Sequence, residues 1–124
     1  MRFAGYAAVF DRVDQGGDVV RRGAFGRLAR GVPLLWEHKG APVGRVELLA
    51  EDARGLRVIG QVEDARAAGL LRDGRVTGLS FGYRVRSAEG ARPRELTGLD
   101  LVEVSLVAFP MQPAARVHAV SPVE

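Results

Sequence analysis

Two stretches of this chain alternate with a period of two, which is a strand signature that a helix cannot satisfy. In VTGLSFGYRV, residues 76–85, Leu79, Phe81, Tyr83 and Val85 fall on one face and Gly78, Ser80, Gly82 and Arg84 on the other. In LDLVEVSLVAFP, residues 99–110, Val102, Val104, Leu106 and Ala108 share one face, and Leu101, Glu103, Ser105 and Val107 share the other. Two such strands need others to cover their apolar faces, so the fold is built on a sheet. Glycine on either side of Ser80 packs nothing and weakens a strand interior, yet it also marks places where another backbone or a ligand comes close. A barrel corner with an incidental serine and an accessible hydroxyl both fit those ten residues.

The remaining segments supply the other strands. MRFAGYAAVF reads as a first strand and DRVDQGGDVV as a loop rich in turn formers. GAFGRLARG, residues 23–31, can make a short helix carrying Phe25 and Leu28. VPLLWEH is a strand, ending at His38 before a turn-forming KGAP, and PVGRVELLAEDARGLRVIGQVE is two strands joined at EDARG. DARAAGLLRDG is a helix with Asp64 as its cap and Gly74 as its stop. SAEGARPR is an exposed connection, ELTGLDLVEVSLVAFP a long strand ended by Pro110, and MQPAARVHAVSPVE shows no period. These elements predict an α+β fold, a small and mostly antiparallel β-barrel ringed by a few short helices. The 124 residues are one domain's worth, with residues 1–110 as the folded domain and 111–124 as a C-terminal tail partly packed on it.

Composition removes several function classes. With no cysteine, disulfides, thiolate metal sites and cysteine nucleophiles are excluded. The net charge is +3, but seventeen arginines and one lysine are scattered among acids and apolar residues, and the aromatic residues stand singly. Neither a basic stripe nor a stacking platform emerges, so no nucleic-acid partner is expected. No apolar run approaches a membrane span and the N-terminus lacks a signal-like stretch, so neither a membrane partner nor a leader is expected.

Three residues carry candidate chemistry. Ser80 is a hydroxyl with clear space along its own strand, and His38 is an imidazole at a strand end, where rigid scaffold meets loop. Glu103 is the one ionisable residue in a nearly continuous apolar run, and a buried carboxylate needs a mate. Arg84 on a neighbouring strand and a catalytic imidazole are equal candidates for that mate. A hydroxyl, a base and a carboxylate are the parts of an activated nucleophile, because the base takes the hydroxyl proton and the carboxylate orients the base. A metal-dependent hydrolase using His38, His118 and the loop aspartates Asp11, Asp14 and Asp18 is a rival, but that spacing does not fit a calcium loop and His118 is expected to lie in solvent. No metal and no other cofactor are expected.

The segments GYAAVFDRVDQGGDVVRRGAF, VPLLWEHKGAPVGRVELLAEDARGLRVIGQV, LLRDGRVTGLSFGYRV and LDLVEVSLVAFPMQPAARV resemble, in order, the successive motifs of the caudovirus prohead protease family. The likeness covers nearly the whole chain and extends to the maturation proteases of gene transfer agents. It implies a serine endopeptidase with the fold of herpesvirus assemblin, cleaving capsid or scaffold segments, and it makes residues 1–110 the protease domain. The LLW-x-H histidine falls on His38 and the G-x-S-x-G serine on Ser80. The stretch E-[VI]-S-[LV]-V falls on Glu103 to Val107, which makes Glu103 the third catalytic member, with Asp100 and Ser105 as fallbacks. G-L-S-F-G also fits a hydrolase nucleophile elbow, but that needs a strand-to-helix turn, and here the alternation runs on through Val85. The implied partners are the major capsid protein or a scaffold segment as substrate, and a second copy in a homodimer. The implied place is the cytoplasm of the producing bacterium, inside the procapsid. A non-catalytic assembly module that binds capsid or scaffold chains is the alternative. Many members carry a long C-terminal extension that is not represented in these residues.

Overall fold

The computed structural model describes residues 1–28 and 31–122. Among them, eight strands and one helix follow in the order β1 (Arg2–Val9), β2 (Asp18–Val20), β3 (Pro33–Trp36), β4 (Lys39–Glu51), β5 (Gly55–Val62), α1 (Ala65–Arg72), β6 (Gly78–Glu89), β7 (Arg94–Val107) and β8 (Val117–Ser121). All strands join one sheet in the order β2-β7-β3-β4-β5-β1-β8, with β6 laid along β7. The pairings are antiparallel except β2 with β7 and β3 with β7. β7 is the organising strand, because β6 follows it along one edge while β2 takes residues 94–96 and β3 residues 104–106 along the other.

The sheet is mostly antiparallel, as expected, but it is open and mixed and does not close into the expected barrel. The end of the sheet formed by β1 and β8 meets the start of β6 only at a Gly78–Arg116 bridge. There the Leu79 N–H donates to Ala115 O at 2.9 Å, the Val117 N–H to Thr77 O at 2.8 Å and the Tyr6 N–H to Arg116 O at 3.1 Å. Beyond that point β8 turns onto β1, and β6 runs on with β7 alone.

The ring of helices is also corrected, since α1 is the only helix among the described residues. Its start is as expected: Asp64 caps it, accepting the Ala67 N–H at 2.9 Å, and Gly74 closes it with φ +71°. The helix expected over 23–31 is replaced by turns over its described part, because Gly23 and Gly26 take φ +85° and +55°, values a right-handed helix does not contain. Ala29 and Arg30 lie outside the described residues.

Residues 111–121, where no period is visible, pack on the sheet. β8 pairs with β1, and the buried Gln112 side chain accepts the Val9 N–H at 2.7 Å and donates to Val9 O at 3.3 Å, doing locally what a neighbouring strand would do. The core gathers Phe3, Leu34, Leu56, Leu79, Leu96 and Leu106, each at most 1 % exposed. Among the described residues no helix is long and apolar enough to cross a membrane.

Candidate active site

The register of β6 on β7 brings the first two candidates to one face. Ser80 pairs with Ser105 and Gly82 with Glu103, and directly opposed residues of an antiparallel pair point to the same side. That register also answers why glycine stands on both sides of the serine. A Cβ at Gly82 would collide with Glu103 Oε1 and lie 3.0 Å from its Cγ and Cδ. A Cβ at Gly78 would sit 2.5 Å from Val107 O and 2.9 Å from the Pro110 ring. The glycines make room, one for a carboxylate and one for the chain leaving β7.

β3 brings the third. It runs parallel to the end of β7, with Leu35 beside Ser105 and Trp36 beside Leu106, so the chain emerging from Trp36 arrives next to Glu103 and Ser105. It then reverses in two residues, since Trp36 pairs with Lys39 and only Glu37 and His38 form the connection. The expected turn at KGAP is therefore corrected: those residues begin β4, and His38 lies in the hairpin turn itself. Glu37 has φ +53° and His38 φ +64°. A two-residue turn with both central φ positive is the type I′ geometry that Asn-Gly fits best. For residues with a Cβ it costs about 1–2 kcal/mol each. Three hydrogen bonds to β7 and the residue after it hold the turn: Glu37 N–H to Leu106 O at 3.0 Å, Ala108 N–H to Glu37 Oε1 at 2.7 Å, and His38 N–H to Ser105 Oγ at 3.0 Å.

Glu103 has found its mate. Its Oε1 lies 2.5 Å from His38 Nδ1, and its Oε2 accepts the Ser105 hydroxyl at 2.6 Å. The Glu103 side chain is 7 % exposed, so the two hydrogen bonds offset a desolvation cost of several kcal/mol. Arg84, the alternative mate, stands opposite Asp100 instead. Asp100 is an exposed residue paired with Arg86 at 2.8 Å, while Ser105 is fully buried and bonded to Glu103 itself. With Nδ1 donating to the carboxylate, Nε2 is the free nitrogen of the imidazole, whose side chain is 43 % exposed.

Ser80 and His38 open onto one cleft of about 270 Å³, walled also by Phe81, Tyr83, Phe109 and Met111. Ser80 keeps 8 % of its surface, and its hydroxyl has no hydrogen-bond partner among the described residues. It is a small hydroxyl with no hydrogen-bond partner, lining a partly apolar groove. Burial, reinforced by the charges of Asp18 and Asp14 and opposed by Arg94, pushes the Tyr83 phenol above its ordinary range. Phe109 is 92 % exposed on the rim.

The rival metal set does not gather. Asp11 pairs with Arg21, Asp18 pairs with Arg94, and Asp14 Oδ1 accepts the amides of Gly16 and Asp18. His118 lies on β8 with its ring 5.6 Å from that of Tyr6. Among the described residues no three His, Asp or Glu side chains converge as a metal site. Neither the role of Glu37 nor the structural weight of Ser105 is visible in the sequence. The run from Trp36 to Lys39 carries none of the Asn-Gly chemistry that announces a two-residue hairpin, and Ser105 is visible in the sequence only as a polar residue two positions from Glu103.

A model of the caudovirus prohead serine protease family matches residues 1–123. The chain belongs to that family. It is 33 % identical, over an alignment 141 positions long with gaps, to the prohead protease of Enterobacteria phage HK97, covering 98 % of this chain and 61 % of that protein. The fold of this prohead-protease family member is also similar to two herpesvirus structures. One is KSHV protease in complex with a hexapeptide phosphonate inhibitor, with TM-score 0.62, 15 % identity and coverage of 94 % of this chain and 63 % of the other. The other is varicella-zoster virus protease, with TM-score 0.56, 18 % identity and coverage of 94 % and 62 %. At those identities the likeness is one of fold. The chain spans 61–63 % of the length of each of these three proteins.

Proposed function

We propose that this chain is a serine endopeptidase that cleaves capsid or scaffold segments during prohead maturation of a tailed phage or phage-like particle, working inside the procapsid in the producing cell. The observation that carries the reading is the buried Glu103 carboxylate on His38 Nδ1, in a family member whose unengaged Ser80 shares a cleft with that histidine. Ser80 is the nucleophile, His38 the general base and acid, and Glu103 the group that fixes the imidazole tautomer and stabilises the imidazolium. Ser80 Oγ bonds to the scissile carbonyl carbon while His38 Nε2 takes the hydroxyl proton. The tetrahedral intermediate collapses, the C–N bond breaks, and the proton passes to the leaving amine. Water then adds to the acyl ester by the same proton route, releasing the new carboxylate and restoring the Ser80 hydroxyl. Ser80 and His38 share the cleft without a direct hydrogen bond, and contacts of this kind tighten in the Michaelis complex.

Co-expression with the cognate major capsid protein tests the function. Wild type should yield a shortened capsid band and Ser80→Ala only the full-length one. Equal trimming by both proteins would remove Ser80 from the mechanism, and full-length capsid with both would favour a binding module.

A further inference from the structure

The backbone that presents His38 is the least comfortable near the site, and what steadies it lies outside the three residues assigned to chemistry. Building on the peptidase reading, we propose that Glu37 is a positioning residue: its carboxylate ties the left-handed Glu37–His38 turn to the end of β7 and so keeps the imidazole aligned with Ser80. β7 ends at Val107, so the Ala108 N–H lies just past the ladder, and Glu37 Oε1 supplies its acceptor at 2.7 Å. The Glu37 N–H donates in turn to Leu106 O at 3.0 Å, so this one residue grips the β7 end from both backbone and side chain. Its local conformation argues against any simpler role. With φ +53°, the position suits Asn or Gly better than Glu, and Asn is one methylene shorter than the side chain that reaches Ala108. A residue that fits its turn poorly while making a specific distal bond is the kind of local conflict found where function sets the choice.

A positioning role separates rate from stability, so labelling by a fluorophosphonate probe is read beside the melting temperature. The probe forms an O–P bond with Ser80 and loses fluoride, with the hydroxyl proton taken by His38, so its maximal labelling rate reports base alignment and its half-saturating concentration reports access. We expect Glu37→Gln to label within about twofold of wild type, because the amide oxygen still accepts the Ala108 N–H. Glu37→Ala and Glu37→Asn should lower the maximal rate about tenfold or more with the half-saturating concentration unchanged, since small misplacements of a catalytic group are expensive in rate. Glu37→Asn should also melt no lower than wild type, because Asn tolerates a positive φ. Wild-type labelling rates in both variants, an equal loss in Glu37→Gln, or rate losses that follow the melting temperature would each overturn the inference. Wild-type protein that labels anywhere but Ser80, or not at all, would instead overturn the peptidase reading on which it rests.

Discussion

Gly82 is the residue on which the site's geometry turns, although it carries no chemistry. Its missing Cβ is the space in which the Glu103 side chain lies, and Glu103 cannot swing away without giving up His38 and Ser105. Gly82→Ala should therefore cost about 1–3 kcal/mol, as overpacking does, and lower cleavage by more than about tenfold. Melting temperature and capsid-trimming rate measured on the same preparation check this, and a stable Gly82→Ala protein with full activity would show that the carboxylate's place is unimportant. At this scale the sequence is largely legible. Ser80 between glycines and Glu103 in an apolar run each break a local rule, and broken rules are the visible signal. The reason for the glycines is hidden, because it depends on a cross-strand register that no local pattern states. Glu37 is hidden for a related reason, since its partner lies at the end of a strand 71 positions away in the chain.

Strands are read more reliably than helices, and their ends least well. The alternating cores of β6 and β7 and the pair β4 and β5 form where the pattern places them, because period two is demanded by the pleat. The helix expected over 23–31 fails over its described part because two glycines adopt left-handed φ, and β8 is invisible because its residues stay largely exposed and it is a strand by its pairing with β1. A short element such as β2 depends on fewer interactions, and one of them titrates. Asp18 pairs with Arg94 at the β2–β7 junction, and the Arg94 guanidinium holds its carboxyl below the usual range against an opposing effect of burial. A carboxyl depressed in the folded state contributes stability above its unfolded pKa of about 3.9, and that contribution disappears as pH falls through the lower folded value. Asp18→Asn should thus melt a few degrees below wild type at neutral pH, and the gap should close as the solution is acidified below about pH 4. A gap that stays constant from neutral pH down to strong acid would assign it to something other than the charge.

The whole molecule assembles its site from three distant pieces: the β6 strand, the β7 strand and the β3–β4 turn. None of these pieces is a site by itself, and the open sheet of this family member holds them in register. The central claim is that Ser80, His38 and Glu103 act as one unit, and residues that act as a unit lose activity non-additively. In a serine protease with Asp in the third place, changing that Asp to Asn costs about ten-thousand-fold. The most direct measurement is the rate of capsid-precursor cleavage by wild type, Glu103→Gln, His38→Ala and the double variant, with circular dichroism confirming that each is folded. Glu103→Gln should be slower by about a hundredfold or more, and adding it to His38→Ala should cost almost nothing further. A folded Glu103→Gln protein that cleaves near the wild-type rate while Asp100→Asn does not, or a double variant slowed by the product of the two single effects, would contradict the account.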